Sequence, residues 1–128
     1  MNNNRLNELG GIILDAAIHV HRELGPGLLE SAYRIALKKE LELRNVRVRT
    51  HVSVELFYKG EPLGKCYEID MLVEDEIILE LKAAEGITPI YVAQLITYLK
   101  LYQKKLGYLI NFNVTLVKDG FKRIVHGF

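Results

Sequence analysis

The chain has 128 residues, 49% apolar and 26% charged, with seventeen Lys and Arg against sixteen Asp and Glu. That composition excludes a disordered, collagen-like or low-complexity chain and leaves a single domain over residues 1–128 as the expectation. No apolar run approaches the roughly 20 residues of a membrane span and Met1 to Arg5 lack a signal-peptide layout, so no membrane partner and a cytoplasmic location are expected. Cys66 is the lone cysteine, which rules out an internal disulfide and a cysteine-based zinc site.

Leu6, Leu9, Ile13, Ala16, Ala17, Val20 and Leu24 recur at helical spacing, which predicts an amphipathic helix over 6–24 stopped by Gly25-Pro26-Gly27. Helical spacing resumes from Leu28 to about Arg44. Strict alternation from Val46 to Tyr58 predicts a strand with one buried face, turned at Lys59-Gly60-Glu61-Pro62. A second strand carries Tyr67, Ile69, Met71 and Val73 on one side, with Glu68, Asp70 and Leu72 on the other. A third, Ile77 to Ala83, sets Ile78, Glu80 and Lys82 opposite Ile77, Leu79, Leu81 and Ala83.

Thr88 as N-cap and Pro89 as first helical residue predict a helix to about Lys104. A strand from Tyr108 to Phe112 follows, then a closing hairpin of Val114–Lys118 and Phe121–Val125 around Asp119-Gly120. Because 80–111 reads strand, helix, strand, the later strand is expected to lie parallel to the third through a right-handed crossover. The expected class is α/β (α+β), a mixed sheet flanked by helices in the order ααβββαβ plus a C-terminal hairpin.

Charge is unevenly spread: residues 1–86 hold eleven basic and fifteen acidic groups, and 87–128 six basic and one acidic. A near-neutral chain can therefore present a basic rim beside an acidic pocket, although many unremarkable domains show the same segregation. The third strand narrows the choice. A three-residue loop at Glu74-Asp75-Glu76 puts Val73 opposite Ile77, Met71 opposite Leu79 and Ile69 opposite Leu81. On the other face, Leu72 then meets Ile78, Asp70 meets Glu80 and Glu68 meets Lys82. Opposed side chains have Cβ atoms about 4.5–5.5 Å apart, so two carboxylates there need a shared proton or a divalent cation. Oxygen donors with no His or Cys nearby favour Mg²⁺ or Mn²⁺ over zinc. Lys82 shares the face of Glu80, where an ammonium can neutralise substrate charge or help position an attacking water. Such a cradle suits phosphodiester hydrolysis. The plainer alternative is a Glu68–Lys82 ion pair on a solvated face in another register. Against it, Ile77, Ile78, Leu79 and Leu81 read as a strand buried on both sides, where charges need partners.

Asp70, then Glu80-Leu81-Lys82 on the next strand, with a helical Glu30 before and a helical Gln94 after, resembles the PD-(D/E)XK nuclease superfamily. Gly27-Leu28-Leu29-Glu30-Ser31-Ala32-Tyr33 resembles the GxxExxY motif of a small family within it, and the likeness runs from about Val20 to Ile124. Ile69 stands where the superfamily's name has proline, a position that varies there. The resemblance implies a PD-(D/E)XK-like core, a divalent-metal site on Asp70 and Glu80, and Lys82 as the catalytic lysine. It also implies Glu30 as an outer ligand through water and Gln94 as a shaper of the site, as in the Gln-x-x-x-Tyr element of RecB-like nucleases. The implied function is a Mg²⁺- or Mn²⁺-dependent nuclease, a hydrolase of nucleic acid with DNA favoured over RNA. The alternative is a non-catalytic module that keeps the fold and binds nucleic acid or protein.

Other residues carry two readings each. Glu30 in a first helical turn is also explained by the helix dipole, and Tyr33, on its face, is either a substrate contact or a core tyrosine. Gln94 and Tyr98 share one face of their helix, where Gln94 is either at the site or a backbone-bonded amide. Tyr98 and Lys100 are candidate substrate contacts. Lys100, Lys104, Lys105, Lys118, Lys122, Arg123, Arg47 and Arg49 either meet phosphates or are simply solvated. His19 and His21, two apart on a helix, point in different directions and are discounted as a metal pair. Cys66 reads as a packing residue. With few insertions beyond the core, target choice is expected from a homodimer mate or a complex.

Overall fold

The computed structural model describes residues 1–128. Asn2 accepts the Arg5 N–H at 2.8 Å and opens α1 (Asn3–Leu24), which buries the stripe the spacing predicts, Leu6 to Val20. Gly25, at φ 69°, ends the helix. α2 (Glu30–Leu43) starts two residues later than the periodicity suggests, because the Tyr33 hydroxyl holds the preceding residues as a loop. That hydroxyl donates to the Gly25 carbonyl at 2.6 Å and accepts the Leu28 N–H at 3.1 Å.

The remaining elements are β1 (Val48–Tyr58), β2 (Glu61–Val73), β3 (Ile77–Lys82), α3 (Pro89–Tyr102), β4 (Leu106–Asn111) and β5 (Phe121–Val125). They form one sheet in the order β1-β2-β3-β4-β5, in which only β3 and β4 are parallel, joined by α3. The expected mixed α+β architecture is the observed one. α1 and α2 pack on one face with Leu79, Leu81, Tyr108 and Ile110, while Leu95, Tyr98 and Leu99 of α3 pack on the other with Ile78, Leu109 and Ile124. Gly10 lets α1 approach the sheet: a Cβ there would sit 2.0 Å from the Tyr108 hydroxyl oxygen.

Two expectations fail. The alternation of β1 is interrupted at His51, whose φ of 55° is left-handed in the middle of a strand. Val48 packs toward α1 and α2, whereas Val52 and Val54 pack toward α3. β2 switches in step, with Met71 and Val73 on the α1–α2 side and Ile69 on the α3 side. His51 and Asp70 form the one position missing from a register that otherwise runs Val48↔Val73 to Val54↔Tyr67. Residues two apart share a face only while the strand stays regular, and a bulge-like irregularity breaks that rule.

The closing hairpin is also replaced. After Asn111 the chain turns, makes a 3-10 turn at Val117–Gly120 that buries Val117, and pairs β5 antiparallel with β4. All six residues of β4 are buried, so its open edge is the better partner; a lone two-stranded hairpin is marginal in water. Gly120 lies against this edge, where a Cβ would sit 2.3 Å from the Asn111 carbonyl oxygen.

Candidate active site

β2 and β3 pair as the three-residue loop predicts, Val73↔Ile77, Leu72↔Ile78 and Met71↔Leu79, and there the ladder stops. Beyond it, side chains take the backbone donors. The Leu81 N–H donates to Asp70 Oδ2 at 2.9 Å, and the Asp70 N–H donates to Glu80 Oε1 at 3.4 Å. The two strands part with both carboxylates between them. Ile69 is therefore not laddered to Leu81, and Glu68 does not meet Lys82; its carboxylate lies 2.7 Å from His51 Nδ1 on the outer strand.

Glu80 is only 4% exposed. Burial, and after it the negative charge of Asp70 and a hydrogen bond with it, push its carboxyl up to about 9. At neutral pH Glu80 thus keeps its proton. Tyr98 of α3 is pushed up to about 12, first by burial and then by the charges of Glu80 and Asp70; its hydroxyl accepts Gln94 Nε2 at 3.2 Å. Lys82 stands on the same side of β3 as Glu80, and its Nζ rests 4.6 Å from the centre of the Tyr91 ring.

Residues 7–124 match the PD-(D/E)XK nuclease superfamily. The chain belongs to that superfamily. PD-(D/E)XK proteins are in general hydrolytic nucleases that use divalent metals, and the mixed sheet flanked by helices is the core expected of one. No curated protein matches the chain. Among solved structures it is similar to the crystal structure of SSO0001, at 20% identity and a TM-score of 0.49, over 73% of this chain and 47% of that one. The chain thus spans about half the length of that protein.

Around the Asp70–Glu80 pair the other expected residues fall into two groups. α3 brings Tyr98 within the field of both carboxylates, with Gln94 bonded to its hydroxyl, and Glu30 reaches the far end of β3, where its Oε1 accepts the Ala83 N–H at 3.4 Å. Glu30 does not join Asp70 and Glu80 as a third metal-binding side chain. Tyr33 is fully buried and stacked on Phe112 at 4.5 Å with its hydroxyl engaged by the Gly25–Leu28 loop. The substrate contact read into Tyr33 therefore gives way to a structural role. Lys100 is exposed on the last turn of α3, two positions beyond Tyr98 and so on a different face, and it is not gathered to the carboxylates.

Sequence reasoning passed over three residues. Asn111, 1% exposed, stands in register with Lys82; its Oδ1 accepts the Ala84 and Asn113 N–H groups, both at 3.1 Å, and its Nδ2 donates to the Ala84 carbonyl at 3.0 Å. It clamps the chain as it leaves Lys82. A lone Asn closing an apolar strand was the available signal, since a buried amide must be satisfied. Tyr91 precedes Gln94 by three and Tyr98 by seven, on one helical face, and Tyr67 approaches from β2, its ring centre 5.9 Å from that of Tyr98.

The donor set fits a hard divalent ion. Two carboxylate groups from separate strands converge, one of them holding a proton in a buried setting that a cation can replace. With no third acidic or imidazole ligand in reach, the remaining positions fall to water and substrate oxygens, which Mg²⁺ accepts readily.

Proposed function

We propose that residues 1–128 are a single-domain, divalent-metal-dependent nuclease of the cytoplasm, cutting phosphodiester bonds in nucleic acid, DNA before RNA, and that Gly27 to Tyr33 place it in the GxxExxY group. The reading is carried by one observation: where β2 and β3 part, the Asp70 and Glu80 carboxylates each bond across to the other strand and interact with one another, within the field of Lys82. Asp70 and Glu80 would hold Mg²⁺ or Mn²⁺, which when bound supplies Lewis-acid charge to phosphate oxygens and lowers the pKa of a water. Glu80 would give up its proton to solvent on binding such an ion. Lys82 offsets the negative charge gathering on the phosphate in the transition state. Gln94 orients through its bond to Tyr98, Tyr98 closes one wall, and Glu30 accepts a hydrogen bond from an outer water. Lys100 is left to a phosphate away from the reacting one.

The test incubates the full chain with labelled DNA or RNA and Mg²⁺ or Mn²⁺. Cutting that is abolished by EDTA, by Asp70→Ala and by Lys82→Ala is the expected result. An inert wild type, or equal cutting by both variants, would overturn it; tight binding with no turnover would point instead to a binding module.

A further inference from the structure

Beside the carboxylates lies an open groove of about 340 Å³ between β2 and α3 that hydrolysis itself does not require. Its lining includes the rings of Tyr67, Tyr91 and Tyr98, with Ile90 at the rim and the Gln94 amide among them, and no charged side chain. Tyr98 is 4% exposed and forms the floor, whereas Tyr67 is 42% and Ile90 70% exposed. The Thr97 hydroxyl is engaged with the Ala93 carbonyl at 3.0 Å, and Gln94 Nε2 with Tyr98, which leaves Gln94 Oε1 free as an acceptor beside the Tyr67 and Tyr91 hydroxyls.

A groove without charge cannot track phosphates, and these rings offer π faces instead. It is continuous with the reacting centre: Tyr91 lines it and also carries the Lys82 ammonium, two residues from Glu80 on the same side of β3. A ligand bearing both an anion and a flat ring would span the two, its phosphate at Lys82 and its ring against tyrosine. In a duplex both faces of each base are covered by neighbours, so only an unpaired base has a face to give.

We propose that this groove stacks an unpaired nucleobase next to the scissile phosphate, making single-stranded nucleic acid the substrate class. The inference rests on the nuclease reading for the position of the phosphate. Tyr67 and Tyr91 supply the platform, which tolerates any base because every base has a π face, and Gln94 Oε1 is placed to accept from an exocyclic amine or ring N–H.

The experiment measures binding apart from cutting. In EDTA, the full chain is titrated into a single-stranded oligonucleotide carrying one 2-aminopurine, and into the same oligonucleotide annealed to its complement. The expected result is quenching of the single strand's fluorescence and at least about tenfold tighter binding than to the duplex. Tyr67→Ala weakens single-strand binding by about tenfold, within the range for removing one stacking ring, while Tyr67→Phe restores it. Equal or tighter duplex binding, or a Tyr67→Ala variant with unchanged affinity, would overturn the proposal. Should the single strand bind through Tyr67 while Mg²⁺ produces no cutting, the nuclease reading fails and the groove stands. If Mg²⁺ drives duplex cutting that ignores Tyr67→Ala, the reverse holds.

Discussion

The two ends of the β2–β3 pair use different groups to satisfy the same backbone. At the turn end, Val73, Leu72 and Met71 meet Ile77, Ile78 and Leu79 through an ordinary ladder, with apolar side chains on both faces. At the other end, carboxylates accept the N–H groups of Leu81 and Asp70, and the strands diverge. The difference shows how a buried acid pair is tolerated in an aliphatic sheet. Each carboxylate satisfies a donor that the separating strands would leave unpaired, and the remaining repulsion is held as a proton that a cation can displace.

The largest expected effect of breaking this comparison comes at Asp70. Asp70→Asn keeps an oxygen to accept the Leu81 N–H but removes the charge, so the fold should survive while cleavage falls by at least about a hundredfold. Gel-based cleavage rates alongside a thermal melt separate the two effects; a variant that cuts normally would remove Asp70 from the metal site.

Glu80 sharpens the comparison through pH. Its carboxyl ionises at about 9 when folded, against 4.5 for an unperturbed glutamate. Between those values the unfolded chain binds fewer protons than the native one, so metal-free stability should fall as pH rises from about 4.5 toward 9. Over pH 5 to 7 the loss from this group reaches about 3 kcal/mol at most, at 1.36 kcal/mol per pH unit. Thermal melts in EDTA should show the wild-type midpoint dropping across that interval and a flatter profile in Glu80→Gln. A Glu80→Gln variant with the wild-type slope would place the proton elsewhere.

Smaller effects test the flanks. Asn111→Ala leaves Ala84 without its paired side chain just past Lys82, and should lower stability by about 1–3 kcal/mol together with turnover. Asn111→Asp keeps the acceptor for the Ala84 N–H but sets an unpaired buried carboxylate against the Ala84 carbonyl, and should destabilise at least as much. Denaturant titrations and single-turnover rates read both. Gly10→Ala forces a Cβ toward the Tyr108 hydroxyl on the opposite side of the sheet. It should destabilise by about 1–3 kcal/mol and leave Mn²⁺ affinity unchanged; a lost metal site in this variant would mean that the two faces are not independent.

The turn end of β2–β3 was legible because loop length and alternating side chains fix a register, and that register carries Asp70 to Glu80. The helices were legible from their apolar stripes. What escaped was non-periodic. A single left-handed residue, His51, redirects Val52, Val54 and Ile69 to the opposite face, and hydrophobic alternation looks the same with or without it. The pairing of β5 with β4 rather than with 114–118 depends on an open edge that exists only once the sheet is assembled. Tyr33 and Lys100 could not be sorted from position on a helix alone, since burial of the first and exposure of the second follow from what α2 and α3 pack against.

Calorimetric titration of the full chain with Mn²⁺ at pH 8 addresses the acid pair without any substrate. Saturable binding that disappears in both Asp70→Asn and Glu80→Gln is the predicted result. A wild type that takes up no ion, or variants that bind it as tightly as wild type, would contradict the assignment of these two carboxylates as a metal site.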